Sequence, residues 1–192
     1  MIIWLASYPK NGNTWLRSLI SAYYYTKDGI FLGDNHLKNV QQFPVKKYLE
    51  SFDYDLSIPG DTSRLWVLAQ EKINEDRKIK FFKTHNALVK LGNYDFTNRA
   101  NSLGGIYIVR DPRNVVTSFS KFLNIPIEET ANFMIKGSGD GLSWTSNWSN
   151  NFNSWKIFES YKRYLLLKYE DLVNEPEITF LNVLKFEDFQ AM

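Results

Sequence analysis

Three groups of residues have types and spacings that could do chemistry. The stretch Tyr8-Pro9-Lys10-Asn11-Gly12-Asn13-Thr14 sets a lysine, a glycine and a hydroxyl in a short polar turn ahead of a helical pattern. A turn feeding a helix start aims backbone N–H groups at one point, and the helix dipole favours an anion there. Lys10 adds a full positive charge, Thr14 a hydroxyl, and Gly12 permits positive φ or close approach of a ligand. Those features suit a phosphate. They equally suit an ordinary strand-to-helix turn with a surface lysine, and spacing alone does not separate the two. The Gly-x-x-x-x-Gly-Lys-Ser/Thr order of a Walker loop is absent.

The second group is Lys83 and His85. They lie two apart at the end of a predicted strand, so both can face one side. The carboxyl end of a strand is where ligands sit in open α/β sheets. A histidine with an ordinary pKa of ~6.5 can take a proton from a hydroxyl at neutral pH. The plainer alternative is a histidine that caps a strand. The third group is Arg110 and Ser118. Arg110 ends another predicted strand, and Ser118 falls about two turns into the helix that follows. Together they could grip a phosphate, with arginine as a planar multiple donor. The alternative is an Arg110 paired with Asp111 or Asp171; Arg113 ranks below Arg110. His36 reads as a surface or lid residue.

The elements that would position these groups alternate between strand and helix. Ile2 to Tyr8 is a short apolar run ended by Pro9, the pattern of a strand buried on both faces. From Thr14, Trp15, Leu16, Leu19, Ile20 and Tyr23 recur at helical steps. Trp66–Glu75 is predicted helical, and Lys80–His85 and Gly105–Arg110 are predicted strands. Asp111-Pro112 then opens a helix as N-cap and first helical residue. Glu128–Lys136 and Trp148–Tyr161 are predicted helices, Tyr164–Tyr169 a strand and Glu175–Leu184 a helix. The glycine cluster over 137–141 reads as a connector. Residues 28–63 and 125–150 are irregular and expected to form lid or substrate-pocket segments. The alternation predicts one α/β domain over 1–192: three layers, α/β/α, around a mostly parallel sheet of four or five strands, with right-handed crossovers.

Composition narrows the chemistry. The 192 residues carry 23 Lys+Arg against 21 Asp+Glu, a formal charge of +2, too weak to argue for nucleic acid. Cysteine is absent, which removes disulfides, thiol nucleophiles, cysteine–zinc sites and iron–sulfur clusters. Two histidines make a multi-histidine metal centre an unpromising reading. No apolar run reaches the ~18 residues of a membrane span, and the first residues lack a basic leader. A cytoplasmic location is the default expectation.

The residues from Tyr8 to Arg17 resemble the 5′-phosphosulfate loop of sulfotransferases, whose usual form is Tyr-Pro-Lys-Ser-Gly-Thr-Thr-Trp. Asn11 stands where serine is usual, which removes a side chain thought to interact with the loop lysine. Three further segments match in order. Lys83-Thr84-His85 resembles the family's Lys-Thr-His strand end, Ile108 to Phe119 its 3′-phosphate motif, and Leu167-Lys168-Tyr169-Glu170-Asp171-Leu172 its Tyr-Glu-Asp-Leu strand near the nucleotide.

The resemblance implies a P-loop NTPase-like fold and a sulfotransferase that uses 3′-phosphoadenosine 5′-phosphosulfate (PAPS), with no metal. It implies His85 as base, Lys10 on the leaving phosphate and Lys83 near the sulfuryl oxygens. Lys10, Asn11, Gly12, Asn13, Thr14, Trp15, Arg110, Ser118 and Tyr169 would bind the donor, with Trp15 either stacked on adenine or packed in the core. The acceptor would be a hydroxyl, or an amine, of a small molecule or glycan. The family's basic Arg-x-Gly-x-x-Gly loop is absent from this chain, and Phe186 or Phe189 would stand in the family's Phe-containing segment. The chain is therefore expected to be either a minimal member or a sequence with residues missing. A P-loop-like nucleotide kinase and a non-catalytic nucleotide-binding relative are the alternatives.

Overall fold

A computed structural model describes residues 1–58, 60–137 and 144–191, with the backbone alone for 187–191. Residues 138–141 of the expected glycine connector, and the side chain of Phe189, lie outside the described residues. The sheet has five parallel strands in the order β2-β3-β1-β6-β7. Its centre is β1 (Ile2–Ser7), every residue of which is buried. β1 pairs with β3 (Lys80–Thr84) from Ile2↔Lys80 to Ala6↔Thr84. On its other side it pairs with β6 (Ser102–Val109), ending at Ser7↔Ile108. β7 (Tyr164–Lys168) extends the sheet beyond β6. A two-residue strand, β2 (Gln41–Gln42), closes the far edge against Phe82 and Lys83.

The alternation of side chains along β1 divides the core into two faces. Ile2, Trp4 and Ala6 join Phe43, Trp66, Phe96 and Trp155 on one face. Ile3 and Leu5 join Leu16, Ile20, Leu172 and Val183 on the other. The first face is covered by α3 (Trp66–Ile73) and α6 (Trp148–Trp155), the second by α1 (Asn13–Tyr25), α7 (Tyr169–Asn174) and α8 (Pro176–Ala191). The layers are therefore α/β/α, and a strand with a hydrophobic partner on each side needs no polar alternation. Trp4 sits at the hub. Its ring lies 5.2 Å from Phe96 and 5.8 Å from Phe43, and its indole N–H donates to Ser102 Oγ at 2.8 Å.

α4 (Pro112–Leu123) starts as its sequence predicts, with the Asp111 carboxylate accepting from the Arg113 N–H at 2.9 Å. It packs against α5 (Ile127–Lys136) through Phe119 and Met134. Short pieces escape the sequence pattern: α2 (Asp34–Leu37), 3-10 turns at Lys46–Tyr48 and Asp61–Leu65, and a hairpin of β4 (Lys90–Leu91) and β5 (Tyr94–Asp95). Helix α6 stops at Trp155 and tightens into a 3-10 helix over Lys156–Tyr161. The strand expected over Tyr164–Tyr169 ends at Lys168. Tyr169 to Leu172 begins α7 instead of continuing a strand. Glu170 and Asp171 in its first turn complement the helix dipole.

Candidate active site

The carboxyl ends of β1, β3 and β6 open onto a cavity of about 600 Å3. Lys10, Gly12, Asn13 and Thr14 line it from the first turn, Lys83 and His85 from the end of β3, Arg110 and Ser118 from β6 and α4, and Tyr169 from α7. Residues far apart in the chain thus meet at one place. Asn11 and Trp15 do not line it. Asn11 is buried and turns its amide onto the Ile108 carbonyl, at 3.2 Å. Trp15 sets its ring edge-on to Tyr169, centroids 6.0 Å apart, and packs against the second core face.

The turn is built for close approach. Lys10 and Gly12 both adopt left-handed backbone, at φ 67° and 93°. A Cβ on Gly12 would lie 2.2 Å from Tyr169 Cδ2, so only glycine lets that ring rest on the loop. Helix α1 begins without a side-chain cap and without an acidic residue in its first turn. Arg110 sits with its guanidinium carbon 4.5 Å above the Tyr169 ring, and its Nη1 donates to the Lys10 carbonyl at 3.4 Å. Its buried Nε has no hydrogen-bond partner. Asp111 is not its counter-ion: that carboxylate is engaged by Arg113, Nη2 to Oδ2 at 2.5 Å. Arg113 itself points to solvent.

Among the described residues, the lining holds no acid. Lys10, Lys83 and Arg110 therefore present positive charge to a cavity with no anionic side chain among its described lining residues, beside a helix N-terminus without a side-chain cap. Such a site fits a multiply anionic ligand. The Arg110 Nε, unpartnered among the described residues, and the uncapped start of α1 are what a phosphate-bearing cofactor would require.

His85 is held in one tautomer. Its Nδ1 lies 2.8 Å from the Ser7 carbonyl and 3.3 Å from Ser7 Oγ. A carbonyl only accepts, so Nδ1 carries the proton and Nε2 keeps a free lone pair. Burial, followed by the Lys83 ammonium, holds the imidazolium pKa down to about 3 against the raising effect of the Ser7 carbonyl. The residue is thus neutral in the free protein, with Nε2 as its unprotonated nitrogen. Its own carbonyl is fixed by Asn151 Nδ2 at 2.9 Å, and Asn151 Oδ1 accepts from the buried Tyr107 hydroxyl at 2.7 Å. Burial, then Arg17, pushes Lys83 down to about 8. Lys83 Nζ donates to Gln42 Oε1 at 2.8 Å. Lys10 Nζ rests 4.7 Å over the Phe122 ring.

Sequence reasoning missed Gln42, Phe122 and Leu123 in the lining. Phe122 could have been found: it stands four residues after Ser118, on the same side of the helix. Nothing local marks Gln42. A second cavity of about 360 Å3 shares Gln42 with the first and is walled by Leu49, Tyr54, Leu56 and Trp144, with Asn86 beside them.

Residues 2–191 match the sulfotransferase domain family, and the chain belongs to that family. It is 26% identical over 198 residues to cytosolic sulfotransferase 7 of Arabidopsis thaliana, covering 96% of this chain and 55% of that protein. It is 26% identical over 202 residues to flavonol 3-sulfotransferase of Flaveria bidentis, covering 97% and 55%. The fold is shared with the crystal structure of mouse sulfotransferase SULT7A1 complexed with PAP, at a TM-score of 0.62 and 20% identity, over 97% of this chain and 58% of that one. The chain spans about half the length of the curated relatives it matches. Among the described residues no helix is long and apolar enough to cross a membrane, and no group of three or more His, Asp or Glu is arranged to hold a metal ion.

Proposed function

We propose that the chain transfers a sulfuryl group from PAPS to a hydroxyl of a small organic acceptor. The observation that carries this is the unneutralised trio Lys10, Lys83 and Arg110 around the open N-terminus of α1, with a neutral, oriented His85 at its edge. The bound donor supplies an activated S–O bond to a 5′-phosphate. Lys10 and the first N–H groups of α1 hold the oxygens at that end and stabilise charge on the departing phosphate. Arg110 and Ser118 hold the 3′-phosphate. Lys83 faces the sulfuryl oxygens. His85 Nε2 takes the acceptor's hydroxyl proton as the new O–S bond forms, and the electron pair of the broken S–O bond stays on the 5′-phosphate. Trp15, Asn11 and Tyr169 shape the loop under the nucleotide.

The second cavity supports a ring-bearing acceptor. Its apolar walls and Trp144 suit an aromatic hydroxyl better than a sugar, and it meets the donor cavity at Gln42. Flavonol 3-sulfotransferase, by its name, acts on a flavonol, and we carry that ring-bearing hydroxyl class across. We likewise carry over a cytoplasmic setting from the Arabidopsis relative's name. Residues 28–63 furnish most of the acceptor wall, consistent with a substrate-pocket segment.

The test is transfer of labelled sulfate from PAPS to a panel of 4-nitrophenol, a flavonol, a sugar and an amine. The expected result is labelling of the phenolic hydroxyls, with His85→Ala slower by ~10²–10⁴-fold. Transfer by His85→Ala at the wild-type rate would remove His85 from its role.

A further inference from the structure

Among the described residues, Gln42 is the one that belongs to the walls of both cavities. It is the last residue of the shortest strand in the sheet, in register with Lys83 across the β2–β3 pair. That register puts the two side chains on one face. The strand edge is secured just beyond, where the Phe43 N–H donates to the Lys83 carbonyl at 2.9 Å. The contact between the side chains is a charge-assisted hydrogen bond of 2.8 Å from Lys83 Nζ to Gln42 Oε1. A lysine ammonium has three donors. With one committed to Gln42, its direction is set and two remain for the cavity.

The chemistry of the partner matters as much as its position. Lys83 is half-buried and crowded by cations: Arg17 from α1 lowers its pKa, and Lys83, Arg17 and Lys10 all lower that of His85. Among the described residues, no acid lines the cavity to oppose them. A carboxylate at position 42 would hold the ammonium but cancel the charge that an anion in the cavity requires. A primary amide holds it and leaves the charge intact. Among the described residues, it is the side chain that accepts from Lys83 Nζ.

We propose that Gln42 is a positioning residue that holds the Lys83 ammonium at the boundary between donor and acceptor cavities, aimed at the sulfuryl group of the donor. The inference rests on the donor reading above. It makes Gln42 responsible for discriminating PAPS from its desulfated product, adenosine 3′,5′-bisphosphate, because only PAPS carries the sulfuryl oxygens that Lys83 faces. Gln42 is solvent-exposed, so replacing it leaves the core untouched.

The experiment is calorimetric titration of PAPS and of the bisphosphate, without acceptor, into wild-type protein, Gln42→Met and Gln42→Glu. Methionine keeps the bulk and deletes the acceptor; glutamate keeps the acceptor and adds charge. In Gln42→Met the bisphosphate should bind within twofold of wild type, while PAPS weakens by about fivefold to tenfold. In parallel, the Lys83 titration is followed by 13C-ε NMR. Losing its acceptor should move the Lys83 pKa down from the wild-type value of about 8 in Gln42→Met, and the carboxylate should move it up in Gln42→Glu. Two results overturn the proposal: an unchanged PAPS-to-bisphosphate affinity ratio in Gln42→Met, whether both ligands weaken equally or neither does, or a Lys83 titration blind to both substitutions. Wild-type protein that binds neither nucleotide overturns the donor reading itself, and this inference with it.

Discussion

His85 gains its chemistry from two neighbours and a lack of water. The Ser7 carbonyl fixes the Nδ1 proton, while burial and Lys83 keep the ring neutral until about pH 3. The same balance has a stability consequence. The unfolded chain protonates its histidine near ~6.5 and the folded chain only near 3, so between those values the unfolded state holds more protons. His85 therefore makes stability fall as pH drops from about 6.5 towards 3. Urea unfolding across that window should show a shallower acid loss in His85→Gln than in the wild type; parallel curves would mean that the imidazole is not buried in the free protein. Lys10 and Arg110 act through position, the first in left-handed backbone above Phe122, the second stacked on Tyr169.

Two elements hold the site together, and each can be broken separately. The turn between β1 and α1 depends on Gly12. Alanine there costs about 1–2 kcal/mol for left-handed backbone, before the collision with Tyr169 is counted. Gly12→Ala should lower the urea midpoint and weaken bisphosphate binding, and the penalty should shrink in a Tyr169→Ala background, where the ring is gone. A Gly12→Ala protein as stable as wild type would contradict the packing described. The segment after β3 depends on α6. Asn151 Nδ2 donates to the carbonyls of His85 and Thr145 at 2.9 and 2.7 Å, and its Oδ1 receives the Tyr107 hydroxyl. Asn151→Ala should cost ~1–3 kcal/mol, since it strands a buried hydroxyl, and should slow transfer as His85 loosens. Unchanged melting would show that this network does not brace the site.

The strands that carry chemistry were legible because their signals are local. β1 and the second half of β6, Ile106–Val109, are apolar runs, and the Lys10–Thr14 turn and the Asp111-Pro112 helix start announce themselves by residue type; the first half of β6, with Ser102, Gly104 and Gly105, lacks that signal. Gln42 was not legible: a two-residue strand exists only through pairing with β3, which no local pattern encodes. The strand expected over Tyr164–Tyr169 runs one residue too far, and Glu170 and Asp171 after it are the helix-start signal that marks α7.

At the scale of the whole molecule, the sheet's order brings β1, β3 and β6 side by side, so three chain-distant ends share one edge. The two core faces on either side of β1 hold that edge rigid, with Trp4 and Leu5 buried against opposite helical layers. A net charge of +2 says little about ligands. The local arrangement, with its cations gathered and its acids elsewhere, says much more. Asp111, Asp61 and Asp76 are paired with Arg113, Arg64 and Lys80, none of which lines the cavity.

The central claim is that this edge binds the donor nucleotide, and it is tested most directly by thermal unfolding with adenosine 3′,5′-bisphosphate beside ATP-Mg²⁺. At ~100 times Kd the bisphosphate should stabilise the fold by ~2.7 kcal/mol. For a chain of this size that is a rise of roughly 5–10 °C in Tm, with little change from ATP-Mg²⁺. No rise with the bisphosphate, or a rise with ATP-Mg²⁺ alone, would contradict the assignment of Arg110 and Ser118 to a 3′-phosphate and the sulfuryl-transfer reading built on it.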